Sequence, residues 1–199
     1  MGLPARKTNR RYTYGDYRTW RDDERWELID GVAWNMSPAP GRLHQGVLAQ
    51  LARQVLNYLE GKPCKAYFAP FDVLLPEFAG QAEDDVPTVV QPDLVVFCDP
   101  NKLTVKGATG APDWVVEILS PYSSRRDLTV KFDLYQRHGV REYWIIDPGN
   151  RYVHVHLLGA DGRYPAEPQL YLAGAIVPCA VLAGLSIASV DLFSEGSKR

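Results

Sequence analysis

Apolar residues recur along this chain with two different periods, and the points where the period changes mark its elements. Residues 25–30, Arg-Trp-Glu-Leu-Ile-Asp, read as a short strand. An Asp-Gly turn and a return strand at 32–36 complete a hairpin, because that dipeptide supplies the positive φ a tight hairpin turn needs. Ser37-Pro-Ala-Pro-Gly41 then breaks the pattern. Val47, Leu48, Leu51, Val55 and Leu59 follow at helical spacing, which predicts a helix over 43–60 ended by Gly61 and Pro63. Residues 66–75 look like a strand and 76–87 like an acidic loop.

Three apolar runs come next, at 93–98, 113–119 and 142–147. Their Val, Ile, Trp and Phe content suits buried central strands. Between the last two, Leu128, Phe132 and Tyr135 form an apolar stripe, Ser124-Arg-Arg-Asp127 fits a capping box, and Gly139 sits where a C-terminal cap belongs. The unit 113–147 is therefore strand–helix–strand, with a parallel crossover as the simplest closure. Residues 152–158 add another strand. The uncharged stretch 170–190 is long enough to span a bilayer, but Gly174, Pro178 and Gly184 divide it, and a strand, a turn and a second short strand explain it better. The whole is an α/β or α+β domain with a mixed sheet.

Composition narrows this. The 199 residues are 46% hydrophobic and 23% charged, enough for a single core and against general disorder. Net charge is -2, which excludes a strongly basic nucleic-acid coat but leaves local basic patches open. Residues 1–21 carry six bases against Asp16 alone, so they are read as a basic arm or first helix, with one domain over 22–199. That arm has the plain reading of a solvated tail and the sharper one of a phosphate contact. The start of the sequence has no apolar run of the secretory kind, so a cytoplasmic protein without a membrane segment is expected. Cys64, Cys98 and Cys179 are far apart and support neither a disulfide framework nor a zinc finger; Cys98 reads as a small core residue.

Acids inside apolar strands are the informative features, because an unpaired buried charge is costly. Glu117 interrupts Trp-Val-Val-Glu-Ile-Leu and shares a strand face with Val115 and Leu119. Asp93 opens another strand after Pro92. Two carboxylates from neighbouring strands make a hard-oxygen site of the kind Mg²⁺ or Mn²⁺ takes. Glu27 sits in a third apolar context, Lys131 borders the stripe of the later helix, and His44 heads the long helix on its Val47 face. Each has a plainer reading: an ion pair for Glu117, a turn acid for Asp93, a one-turn pair with Asp127 for Lys131, a satisfied core histidine for His44, and an exposed strand position for Glu27.

Together, Pro92-Asp93, Glu117-Ile-Leu-Ser-Pro121, Asp127, Lys131, Tyr135 and Gly139-Val-Arg-Glu-Tyr-Trp-Ile-Ile-Asp-Pro148, with Trp26–Gly31 and His44-Gln45 upstream, resemble the Uma-two family of restriction-endonuclease-like proteins. The likeness runs over residues 12–193. It implies the PD-(D/E)XK nuclease fold, a mixed central sheet flanked by helices. By that resemblance Asp93 and Glu117 hold Mg²⁺ or Mn²⁺, with the Ile118 carbonyl as a further oxygen, and Glu27 and His44 are accessory. The superfamily's lysine belongs two residues after Glu117, where this chain has Leu119; Lys131 on the next helix takes its place. The implied activity is metal-dependent hydrolysis of DNA phosphodiesters, with Arg125, Arg126, Arg137 and the arm as phosphate contacts and a homodimer as one working form. The alternatives are a nuclease-fold protein that binds nucleic acid or a protein partner without cutting, and a metal enzyme for a smaller phosphorylated molecule.

Overall fold

A computed structural model describes residues 10–20, 25–36, 41–120 and 129–194. The hairpin forms as expected from β1 (Trp26–Ile29) and β2 (Val32–Asn35), joined by Asp30 and Gly31 with φ of 52° and 75°. The long helix, α2 (Arg42–Leu59), follows a single turn of helix, α1 (Tyr14–Tyr17). The three apolar runs become β6 (Leu94–Phe97), β8 (Trp114–Ile118) and β9 (Glu142–Asp147). Strands β8 and β9 are parallel, and α3 (Val130–Arg137) lies between them in sequence, as the strand–helix–strand reading requires. The capping box at 124–127, and with it Arg125, Arg126 and Asp127, lies outside the described residues.

The strand expected over 66–75 is two strands, β3 (Lys65–Phe68) and β4 (Asp72–Leu74), in different sheets. Between them Pro70, which has no N–H to give a ladder, follows a cis peptide bond. A six-stranded sheet runs β11-β10-β9-β8-β6-β3, with β10 at Tyr152–Leu157 and β11 at Gln169–Leu172. A five-stranded sheet runs β2-β1-β5-β4-β7, with β5 at Val89–Val90 and β7 at Gly107–Thr109, both too short to leave a pattern in sequence. The stretch 170–190 holds the rest of β11, then β12 (Ile176–Pro178), β13 (Ser186–Ala188) and the start of the turn-long α4 (Ser189–Leu192). Among the described residues no helix is long and apolar enough to cross a membrane.

Strand alternation sorts the six-stranded sheet into two packed faces. Trp114, Val116 and Ile118 face Val47, Leu51, Val55 and Leu59 of α2. Val115 and Leu119 face the other way, toward Leu134 and Tyr135 of α3 and toward Ile29, Val73 and Val90 of the second sheet. The central strands are thus covered on one side by a helix and on the other by a helix together with a second sheet. Burial of each of these side chains contributes about 1.5–3 kcal/mol. The described part of the basic segment is not a free tail: Tyr12 and Tyr14 are buried in a third cluster with Trp26 and Val89.

Cys98 corrects its expectation as a free core residue. It is bonded to Cys64, across the last step of the β3–β6 register next to Lys65 and Phe97. Sequence spacing cannot reveal a bridge that depends on strand register. A bridge across 34 residues is expected to stabilise the fold by about 2–4 kcal/mol. The C64S/C98S variant should unfold at correspondingly lower urea, and a reductant should shift the wild type but not the variant. An unshifted wild type would show that the bridge does not form in solution.

Candidate functional site

The β6–β8 pairing sets Leu94 opposite Val116, so Asp93, just before β6, falls beside the end of β8 that carries Glu117 and Ile118. Asp93 Oδ2 accepts the Ile118 N–H at 2.7 Å, which ties the carboxylate to the end of β8. His44, on the first turn of α2 and 7% exposed, reaches the same oxygen with Nε2 at 3.1 Å. A carboxylate oxygen accepts, so the imidazole donates from Nε2; its Nδ1 is buried and has no hydrogen-bond partner among the described residues. Asp93 itself keeps 17% of its side chain exposed. Only Oδ2 is engaged among the described residues; Oδ1 is left available.

Lys131 is almost wholly buried, and its ammonium lies between two acids: Nζ is 2.7 Å from Glu117 Oε1 and 2.9 Å from Glu27 Oε1. One helical turn on, Tyr135 lies alongside, and its hydroxyl donates to Glu117 Oε1 at 2.7 Å. Burial, and then the nearby Glu117 charge, push the Tyr135 pKa well above its ordinary value, so the phenol stays a donor. Glu27, expected on an exposed strand position if read alone, is fully buried because the second sheet folds β1 over the centre. Its Oε1 also accepts the Gln91 N–H at 2.9 Å.

The five residues singled out from sequence therefore fall into two linked groups, Glu27–Lys131–Glu117 and His44–Asp93. They meet at adjacent positions, since Glu117 belongs to the first and the Ile118 N–H to the second. Three further residues join them that sequence reading did not single out for a site. Tyr135 read as a plain stripe residue. Gln91 sits two residues before Asp93; its side-chain amide donates to Asp72 Oδ1 at 2.8 Å and accepts from Arg25. Asp72 also accepts the Tyr17 hydroxyl at 3.0 Å. No local pattern marks these last two, because they come from strands of the second sheet.

The donor set fits a hard divalent cation. Asp93 and Glu117 are carboxylates on neighbouring strands, and Asp93 Oδ1 is open. Mg²⁺ takes one or two carboxylates and fills the rest of its shell with water and phosphate oxygens. No group of three or more His, Cys, Asp or Glu is disposed as a metal cage among the described residues. A cation held by Asp93 and Glu117 would therefore take its remaining ligands from water and phosphate.

Other buried acids show what such a position does without this setting. Glu142 is fully buried, yet its oxygens are taken by the Trp144 indole N–H at 2.7 Å and the Val181 N–H at 2.8 Å, a structural clamp on the opposite face.

The Uma2 family, whose description reads "Putative restriction endonuclease", matches residues 14–191. A solved structure described as "a putative nuclease belonging to DUF820 from Anabaena variabilis" superposes with a TM-score of 0.70 at 22% identity, covering 91% of this chain and 97% of that one. At that identity the likeness establishes the shared fold. No curated protein matches the chain.

Proposed function

Since the chain belongs to the Uma2 family, we propose that it is a nuclease that hydrolyses DNA phosphodiester bonds with Mg²⁺ or Mn²⁺ held by Asp93 and Glu117. The observation that carries this reading is a pair of carboxylates at the neighbouring ends of β6 and β8, Asp93 bound to the Ile118 N–H and to His44, and Glu117 bound to Lys131. Such a cation, when bound, would supply Lewis-acid polarisation of the phosphoryl oxygen and lower the pKa of the attacking water.

The chain's own groups do the positioning. Asp93 is held by the Ile118 N–H, so its orientation is set by the strand and not by a flexible loop. Lys131 and Tyr135 both bind Glu117 Oε1, which fixes the rotation of that carboxylate. The Lys131 ammonium also places a fixed positive charge beside the carboxylates, where negative charge builds on the phosphoryl group in the transition state. This is the role a lysine two residues after Glu117 would fill in the superfamily pattern, delivered here from α3. His44 steadies Asp93 through Nε2. Cutting both strands of a duplex would need either two such centres in a homodimer or successive nicks by one.

The direct test is cleavage of supercoiled plasmid and of circular single-stranded DNA by the purified protein. Mg²⁺ or Mn²⁺ is expected to support nicking or linearisation, and EDTA to abolish it. Intact DNA of both kinds in the presence of either metal would overturn the reading in favour of a binding protein.

A further inference from the structure

A cleft of about 460 Å³ opens beside the carboxylate centre, between α1, the β1 strand and the loop that carries Lys106. Its volume is that of a small-ligand site, roughly 300–1,000 Å³, and too small for a duplex. Tyr17 and Trp20, both half-buried, form an aromatic wall, with ring centroids 5.5 Å apart. Arg18, Arg25 and Lys106 also line it, with Asp72 as the one acid among the described lining residues. The described lining thus carries more positive than negative side chains, on a chain of net charge -2. Among the described residues Arg18 is paired with Asp84 alone, both about half exposed, and such a pair exchanges readily for a phosphate. Lys106 is exposed and has no ion pair among the described residues.

The cleft is wired to the proposed nuclease centre through one residue. Gln91 is 9% exposed; its side chain spans Asp72, Tyr17 and Arg25 in the cleft, while its main-chain N–H binds Glu27. Asp93 is two residues further on, at most about 7 Å along the chain. A nucleotide in the cleft and a phosphate at Asp93 would then be close neighbours on one strand.

We propose that the cleft takes an unpaired nucleotide of the DNA strand being cut, its base against Tyr17 and Trp20 and its phosphate against Arg18 and Lys106. The aromatic faces can be reached only by a base that has left the duplex stack, so single-stranded or locally unpaired DNA is the preferred substrate. The Asp72 carboxylate at the inner wall is held through Oδ1 by Tyr17 and Gln91, which leaves Oδ2 to accept from the edge of that base. This inference rests on the nuclease reading.

The test is fluorescence anisotropy on the full chain, with Ca²⁺ in place of Mg²⁺. The probes are a labelled single-stranded oligonucleotide, its duplex, the duplex with an internal bulge, the single strand with abasic positions, and the RNA of the same sequence. Single-stranded and bulged DNA are expected to bind at least about 10-fold more tightly than the intact duplex. Trp20→Leu, which keeps apolar bulk, should weaken single-strand binding by roughly 5- to 100-fold, and abasic positions should do the same to the wild type. Lys106→Ala, at an exposed position with no fold to lose, should lower the salt slope by about one unit. Equal binding of duplex and single strand, or indifference to both Trp20→Leu and abasic positions, overturns the proposal while plasmid cleavage leaves the nuclease reading standing. Tighter binding of the RNA than of the DNA strand overturns the assignment to DNA. Failure to bind or cut any of these nucleic acids overturns both.

Discussion

Lys131→Met is expected to lower the stability of the fold by about 3–5 kcal/mol, the cost of removing one partner from a buried ion pair. Methionine fills most of the lysine volume, so little of the loss comes from a cavity. The loss comes from the carboxylates: Glu27 and Glu117 both place an oxygen within 2.9 Å of the ammonium, and their side chains are 0% and 5% exposed. Without the lysine, two buried acids face each other across the space it filled. The cost should shrink when the acids are neutralised with it, so a Glu27→Gln/Glu117→Gln/Lys131→Met triple variant should recover much of the stability. Urea unfolding of the single, double and triple variants measures this. A Lys131→Met loss below about 1 kcal/mol would show that the ammonium is not held between the two acids, and would detach Lys131 from the proposed centre.

The second large effect is on cleavage. Glu117→Gln should lower the rate of plasmid nicking by roughly 10²- to 10³-fold or more, the scale found when one electrostatic group of a reacting centre is removed. The fold should change far less than with Lys131→Met. The glutamine amide keeps the shape of the side chain, and its oxygen still accepts from Lys131 and Tyr135. Oligonucleotide binding should persist, since the cleft residues are separate from Glu117. Tyr135→Phe, which removes one donor from the same oxygen, should lose much less activity than Glu117→Gln. Rates measured at saturating Mg²⁺ separate a chemical defect from weaker metal binding. A Glu117→Gln variant that cuts at the wild-type rate would refute the assignment of Glu117, and with it the two-carboxylate reading.

Much of the architecture was legible because it is local. The hairpin at Asp30-Gly31, the long helix α2, the parallel strands β8 and β9 and the helix between them all follow from periodicity and turn chemistry, which act over a few residues. The inference that Glu117 is buried was also local, since it lies within a run of apolar strand residues. The same reasoning applies equally to Glu142, which opens β9 and turns out to clamp Trp144 and Val181. Periodicity can tell that an acid is buried; it cannot tell which groups meet it.

The second sheet was not legible, and its absence from the sequence reading explains most of what was missed. Its strands β5 and β7 have two and three residues, too few to show a period. Glu27, Asp72 and Gln91 come to the centre only because β1, β4 and the end of β5 pack over β8. The Cys64–Cys98 bridge depends in the same way on which strand lies next to which.

The amino-acid sequence by itself determined the longer elements, the two faces of the central strands and the candidates Asp93, Glu117, Lys131, Glu27 and His44, because those depend on spacing along one chain. Only the tertiary structure decided that Lys131 bridges Glu27 and Glu117, that His44 binds Asp93, and that an aromatic cleft opens beside them. These contacts join residues from 14 to more than 100 positions apart, between helices and two sheets. Their distances are set by how the layers close on a shared core, a quantity that no local window contains.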